Sequence, residues 1–132
     1  MTDRPPLSKG EMEIARVIWR LGRATVGQVY DALPKRRRPD YTTVQTYIRR
    51  LENKGYLRSQ RDGRNKVYSA KVRPGTVIRE AVDDFMERLF DGELVPFMKH
   101  LINDRGIDEQ ELAALRRLLE PTEESQDDVE HE

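Results

Sequence analysis

Asp40-Tyr-Thr-Thr-Val-Gln-Thr-Tyr-Ile-Arg-Arg-Leu-Glu-Asn-Lys-Gly55 has the period of a helix and two incompatible faces. Val44, Ile48 and Leu51 recur at the i, i+4, i+7 spacing that puts them on one side, with Tyr47 on its shoulder. That side is for a core. The opposite side gathers Thr42, Gln45, Thr46, Arg49, Arg50 and Asn53, which are hydroxyls, amides and guanidinium groups with almost no carboxylate among them. Such a face suits an anionic partner that offers hydrogen bonds. Asp40, following Pro39, is placed to cap the first turn, and Gly55 supplies a residue that tolerates the left-handed conformation past the last. The short side chains of Thr42, Thr43 and Thr46 let the backbone approach a partner, while Arg49 and Arg50 can reach phosphate or a guanine edge. This is the build of a DNA recognition helix. A solvated surface helix is the plainer reading of the same polar face.

Composition bounds what can surround it. At 132 residues the chain is long enough for a core without covalent staples, and it has no cysteine, which removes disulfides, thiolate metal sites and cysteine nucleophiles together. The first residues lack an apolar signal segment and no apolar run approaches the length of a membrane span, so a cytoplasmic protein with no membrane insertion is expected. A net charge of zero hides strong segregation. Lys35 to Arg73 holds thirteen Lys and Arg against three acids, whereas Asp108 to Glu132 holds ten acids against Arg116 and Arg117. A basic middle and an acidic end point to a polyanion, most often nucleic acid, as the partner of the middle.

Upstream, Ser8 with Glu11 forms a capping box, and Ile14, Val17, Ile18 and Leu21 run along one face of a helix predicted over residues 9 to 21. Trp19, off that stripe, suits packing better than stacking on a base. Thr25 with Gln28 repeats the box ahead of a short helix carrying Val26, Val29, Tyr30 and Leu33, stopped at Pro34. Lys35, Arg36, Arg37 and Arg38 then form a cationic connection, either a solvated linker or a contact to the duplex backbone. After Gly55 the period changes to 2: Leu57 to Arg61 and Lys66 to Ala70 read as two strands around an Asp62-Gly63 turn. Its cations Arg61, Arg64 and Lys66 would keep an edge hairpin soluble or grip a phosphate backbone. Three helices and a hairpin are the order of a winged helix-turn-helix, giving a mainly α fold with a small β-hairpin.

Here the residues support a family. Leu-Ser-Lys-Gly-Glu-Met-Glu-Ile-Ala-Arg-Val-Ile-Trp from Leu7, Tyr-Thr-Thr-Val-Gln-Thr from Tyr41, Leu-Glu-Asn-Lys-Gly-Tyr-Leu from Leu51 and Gly-Arg-Asn-Lys-Val-Tyr from Gly63 together resemble the penicillinase repressor family of BlaI/MecI/CopY-type regulators. The resemblance implies a homodimeric transcriptional repressor on an inverted-repeat operator in double-stranded DNA, with residues 1–73 as the DNA-binding domain and 74–120 as a helical dimerisation region. On that reading Thr42, Thr43, Gln45, Thr46 and Arg49 read bases, and Lys35, Arg36, Arg37, Arg38, Arg50, Arg61, Arg64 and Lys66 hold the backbone. The other reading is a winged-helix module for protein–protein interaction. Copper-responsive relatives sense metal through clustered C-terminal cysteines, and this sequence has none. In β-lactam-responsive relatives a membrane sensor leads to cleavage between an Asn-Phe pair; His100-Leu101 stands at that place here and does not match it, although a regulatory protease is among the partners the resemblance suggests.

The C-terminal part also reads by itself. Ile78, Val82, Phe85 and Leu89 have seam-like spacing on a helix beginning near Thr76 and interrupted at Asp91-Gly92. Leu94, Phe97, Met98, Leu101 and Ile102 form a second apolar helix, with Pro96 tolerable in its first turn, ending in a connection at Asn103 to Gly106. Asp108 with Glu111 caps a third, bearing Leu112, Leu115, Leu118 and Leu119. Short helices of this kind bury little alone, and a second copy is the economical partner. Residues 121–132 are acidic and poor in apolar groups, a composition that favours disorder. His100 and His131 are the only histidines, and no nucleophile, paired carboxylates or phosphate-cradling loop stands at telling spacing, so neither an enzyme nor a cofactor or metal is expected.

Overall fold

Ser8 and Glu11 begin the first helix by capping each other: the Ser8 hydroxyl accepts from the Glu11 amide at 3.2 Å, and the Glu11 carboxylate accepts from the Ser8 amide at 2.9 Å. In the computed structural model, which describes residues 4–120, the helix runs Lys9–Leu21 (α1) and stops at Gly22, whose φ of 85° only glycine adopts freely. The acidic tail expected to be disordered lies outside the described residues. Arg23–Ala24 (β1) follows, and the Thr25–Gln28 capping box starts Val26–Ala32 (α2). A 3-10 turn at Lys35–Arg37 leads to Tyr41–Asn53 (α3), then to the hairpin Leu57–Asp62 (β2) and Asn65–Ala70 (β3). This is a winged helix-turn-helix.

Two local expectations change. Asp40 stands at the N-cap of α3, but its exposed side chain makes no capping hydrogen bond and stays in solvent. The sheet has three strands rather than two, in the order β1-β3-β2, because Arg23 and Ala24 pair with Ser69 and Tyr68. A two-residue strand carries no period that a sequence reading could detect.

The core is built from the faces that periodicity marked, except that Leu21 at the end of the α1 stripe is 42 % exposed. Ile14 and Ile18 of α1, Val29 of α2, Val44, Ile48 and Leu51 of α3, and Leu57 and Tyr68 of the hairpin are all buried, with Trp19 and Tyr47 half-buried against them. A Cβ at Gly10 would lie 2.6 Å from the Tyr47 ring, so a glycine there is what lets α1 approach α3. Pro74–Phe90 (α4) also contributes, since Val77 is buried in the same cluster. The chain arm before α1 is tied down as well. The Tyr56 hydroxyl donates to the Pro5 carbonyl at 2.7 Å, and Arg4 pairs with Glu80 of α4 at 2.6 Å.

One ion pair lies inside this arrangement. Glu11 is only 1 % exposed, and the Lys54 ammonium, arriving from the end of α3, sits 2.6 Å from its Oε1 while also donating to the Pro6 carbonyl at 3.0 Å. A buried carboxylate without a cation would be costly. The pair therefore locks the start of α1 to the exit of α3.

The chain divides into two compact units, Met1–Asp84 and Phe85–Glu132. In the second, Leu94–His100 (α5) runs into a π-helical turn at Leu101–Arg105, closed by the Gly106 amide on the Leu101 carbonyl at 2.8 Å. The chain thus stays helical through most of the connection expected at Asn103 to Gly106. Glu109–Leu119 (α6) starts from the Asp108–Glu111 capping box. The rings of Phe85, Phe90 and Phe97 cluster with centroids 5.4–6.2 Å apart. No described side chain from Phe85 onward is fully buried. Among the described residues no helix is long and apolar enough to cross a membrane.

Burial pushes the Glu11 carboxyl upward, but the Lys54 and Ser8 hydrogen bonds and the Lys54 charge together outweigh it and hold the group below its ordinary value. A carboxyl lowered on folding contributes stability that is fully present above its unfolded value, about 4.3, and is lost as pH falls through the folded value. Glu11→Gln should therefore lower stability by about 1.5–3 kcal/mol near neutral pH, as judged by urea unfolding. The gap to wild type should narrow as pH falls below about 4.3 and through the lower folded value, because the glutamine cannot titrate. A constant gap across that range would show that Glu11 does not act through its charge.

Candidate nucleic-acid interface

The recognition surface starts from the division of α3. Val44, Ile48 and Leu51 are fully buried, whereas Thr42, Gln45, Arg49, Arg50 and Asn53 are exposed on the other side. Thr43 and Thr46 are half-buried at the margins. The Thr46 hydroxyl donates to the Thr42 carbonyl at 3.0 Å, so its proton is used within the helix and it offers a partner its methyl group and lone pairs. At about 100° per residue, Thr43 falls roughly 100° round from Thr42, on the flank it shares with Arg50. Glu52 of the same helix accepts the Ser59 hydroxyl of β2 at 2.6 Å and, among the described residues, forms no ion pair with Arg49 or Arg50.

The cations sort into those the fold uses and those it leaves out. Lys54 belongs to Glu11. Arg38 is drawn inward: its guanidinium lies 4.4 Å from the Tyr30 ring centroid and donates to the Tyr30 carbonyl at 3.3 Å. Lys35, Arg36, Arg37, Arg49, Arg50, Arg61 and Arg64 are exposed, and among the described residues none of them forms an ion pair. Lys66 is exposed too, with its ammonium 6.0 Å from the Tyr68 ring centroid.

The wing carries an unfavourable contact. Arg61 and Lys66 are paired directly across β2 and β3, and like charges facing each other in a ladder are unfavourable. A polyanion bound at the hairpin would turn that repulsion into attraction. The wing also meets α3 electrostatically: burial pushes the Tyr68 phenol up, Glu52 adds to the shift and Arg49 opposes it. Arg49 and the base of the wing therefore belong to one neighbourhood.

Two residues missed as site candidates are Tyr30 and Tyr41, whose rings meet edge to face with centroids 5.4 Å apart. Tyr30 looked like one more apolar position of α2. Tyr41, at the first position of α3, is 44 % exposed, and its place beside the basic connection was the available signal.

Comparison with known proteins gives the arrangement a lineage. The model of the penicillinase repressor family matches residues 7–121. The chain belongs to the penicillinase repressor family. It is 27 % identical to the penicillinase repressor of Bacillus licheniformis over 116 residues, covering 88 % of this chain and 91 % of that protein. It is 20 % identical to the methicillin resistance regulatory protein MecI of Mammaliicoccus sciuri over 113 residues, covering 86 % and 92 % of the two chains. Among solved structures, the DNA-binding domain of the repressor BlaI superposes with a TM-score of 0.50 at 31 % identity, covering 56 % of this chain and 90 % of that one. Membership makes this a winged-helix protein of transcription regulation, and the penicillinase repressor likeness extends well past the wing.

The opposed cations of the wing make a prediction that needs no DNA. Lys66→Gln removes the repulsion with Arg61 and should raise the urea midpoint slightly at low salt, by an amount equivalent to about 0.2–1 kcal/mol. The gain should fade as salt screens the pair. A variant less stable than wild type at low salt would show that Lys66 serves the hairpin itself.

Proposed function

We propose that this chain is a sequence-specific transcriptional repressor that binds double-stranded DNA as a homodimer on an inverted-repeat operator, in the cytoplasm where the DNA lies. The observation that carries the reading is the exposed face of α3, polar and cationic, set beside a wing whose arginines have no partner among the described residues. The likeness to the DNA-binding domain of BlaI supports it. In this reading Thr42, Thr43, Gln45, Thr46 and Arg49 meet base edges in the major groove. Lys35, Arg36, Arg37, Arg50, Arg61, Arg64 and Lys66 meet phosphates, fixing register without reading sequence. A module that docked on protein would need apolar groups on the same face. Beyond Tyr41 at its first position, α3 exposes no large apolar side chain.

The proposal of a homodimer rests on unspent apolar surface. Ile78 and Val82 are about half exposed at 50 % and 51 %, and Leu118 and Leu119 are 80 % and 83 % exposed. With Phe85, Leu89, Leu94, Phe97, Met98, Leu101, Leu112 and Leu115 they supply the faces a second copy would cover. One winged helix reads one half-site with a few base contacts. Joining two makes the second engagement intramolecular, at an effective concentration that can reach the order of mM.

Arg64→Ala should weaken binding to all DNA sequences alike and flatten the dependence of log affinity on log salt by about 0.9. Arg49→Ala should instead cost about 1–3 kcal/mol on the operator and relax discrimination at one base pair. A reversal of the two outcomes would exchange the roles of helix and wing. Gel shifts against genomic fragments with excess competitor supply the operator, and retention of no fragment at low salt would defeat the DNA reading.

A chain shortened to end at Asp84 tests the dimer. It keeps Val77 in the core and the Arg4–Glu80 pair, both of which a cut before α4 would remove. The shortened protein should be a monomer by light scattering, with the same base preference and far weaker operator binding. Operator affinity equal to that of the full chain would overturn the homodimer.

A further inference from the structure

Tyr30 of α2, Arg38 of the basic connection and Tyr41 of α3 form a stack at the edge of the core, against which Tyr30 packs, and outside the DNA contacts proposed above. The Arg38 guanidinium lies over the Tyr30 ring at 4.4 Å and donates to the Tyr30 carbonyl at 3.3 Å, and Tyr41 meets the same ring edge-on at 5.4 Å with planes 64° apart. Arg38 is half-buried, whereas Lys35, Arg36 and Arg37 just before it are exposed. A guanidinium spread on a ring and bonded to a carbonyl has given up much of the fork with which arginine grips phosphate. Its place in the basic run therefore does not decide its role.

The stack has a structural task at this point. Asp40 supplies no capping hydrogen bond to α3, and the ring pair packs at its first position, beside the backbone bond from the Val44 amide to the Asp40 carbonyl. Tyr41 has its ring against Tyr30 and 44 % of its surface exposed, and among the described residues its hydroxyl has no hydrogen-bond partner. A phenol offers a donor without a charge, and tyrosine is among the side chains that hydrogen-bond to phosphate oxygens.

We infer that Tyr41 is a further DNA contact, its hydroxyl donating to a phosphate oxygen at the entry of the recognition helix, and that Arg38 is a positioning residue that holds it there through Tyr30. The inference rests on the DNA-binding reading above. It separates two kinds of residue within one basic run: Arg37 neutralises a phosphate and releases a counterion, whereas Tyr41 adds a hydrogen bond and releases none.

The test is the binding of the full chain, by fluorescence anisotropy, to the operator and to a duplex of random sequence over a series of salt concentrations. Tyr41→Phe keeps the ring pair and should weaken binding to both duplexes by roughly 3- to 10-fold, with the salt slope and melting temperature of wild type. Arg37→Ala should flatten the slope by about 0.9. Arg38→Gln should weaken binding with an unchanged slope, and combining it with Tyr41→Phe should cost little more than either alone, because both act on one contact. Arg38→Lys, equal in charge but without the planar face and fork, should fail to restore wild-type affinity. A slope flattened by about one in Arg38→Gln and restored in Arg38→Lys would make Arg38 a phosphate contact, and wild-type binding by Tyr41→Phe would remove Tyr41 from the interface. Either result overturns this inference alone. Absence of binding by the wild-type chain to both duplexes would overturn the DNA-binding reading itself.

Discussion

The Glu11–Lys54 pair is the constraint around which the winged helix closes. A carboxylate that is 1 % exposed needs several partners, and it finds them in the Ser8 amide and the Lys54 ammonium. The Ser8 bond starts α1, and the Lys54 bond ties that start to the last turn of α3. Because Lys54 also reaches the Pro6 carbonyl, the arm, α1 and the recognition helix meet at one ammonium group. The exposed face of α3 is presented at a fixed angle as a consequence, since its other face is spent on Val44, Ile48 and Leu51. Binding surfaces gain from such preorganisation, because the ordering cost is met during folding.

Around that rigid centre the surface keeps features that folding alone does not reward. Arg61 faces Lys66 across the hairpin, and exposed arginines lie on α3 without carboxylate partners. Each is slightly unfavourable or neutral for the isolated protein and becomes favourable beside a polyanion. Where the fold does use a cation, as with Lys54 and Arg38, the side chain is half-buried and bonded. Cations that the fold uses and cations that it leaves exposed thus differ in burial and pairing.

The second unit follows a different logic. α6 starts from the Asp108–Glu111 capping box, whereas α5 starts at Glu93 without a side-chain cap, and Phe85, Phe90 and Phe97 pack on one another. Yet none of its described side chains is fully buried, and leucines such as Leu118 and Leu119 stay open. Local helix signals are satisfied there without the burial that usually stabilises short helices.

Several features of this protein were legible in its sequence because they depend on residues within a turn of one another. The capping boxes at Ser8, Thr25 and Asp108, the stop at Gly22, the buried stripe of α3 and the hairpin turn at Asp62-Gly63 all follow from short spacings and from the two periods of the backbone. What joins distant parts could not be read that way. Glu11 and Lys54 are 43 residues apart, β1 is too short to show a period, and the stacking of Arg38 on Tyr30 depends on how the connection folds back on α2. A charge in a sequence carries no mark of whether it will be buried in a pair or left for a partner. Only the packing of the helices decided that, because burial and pairing are set by the distances between elements.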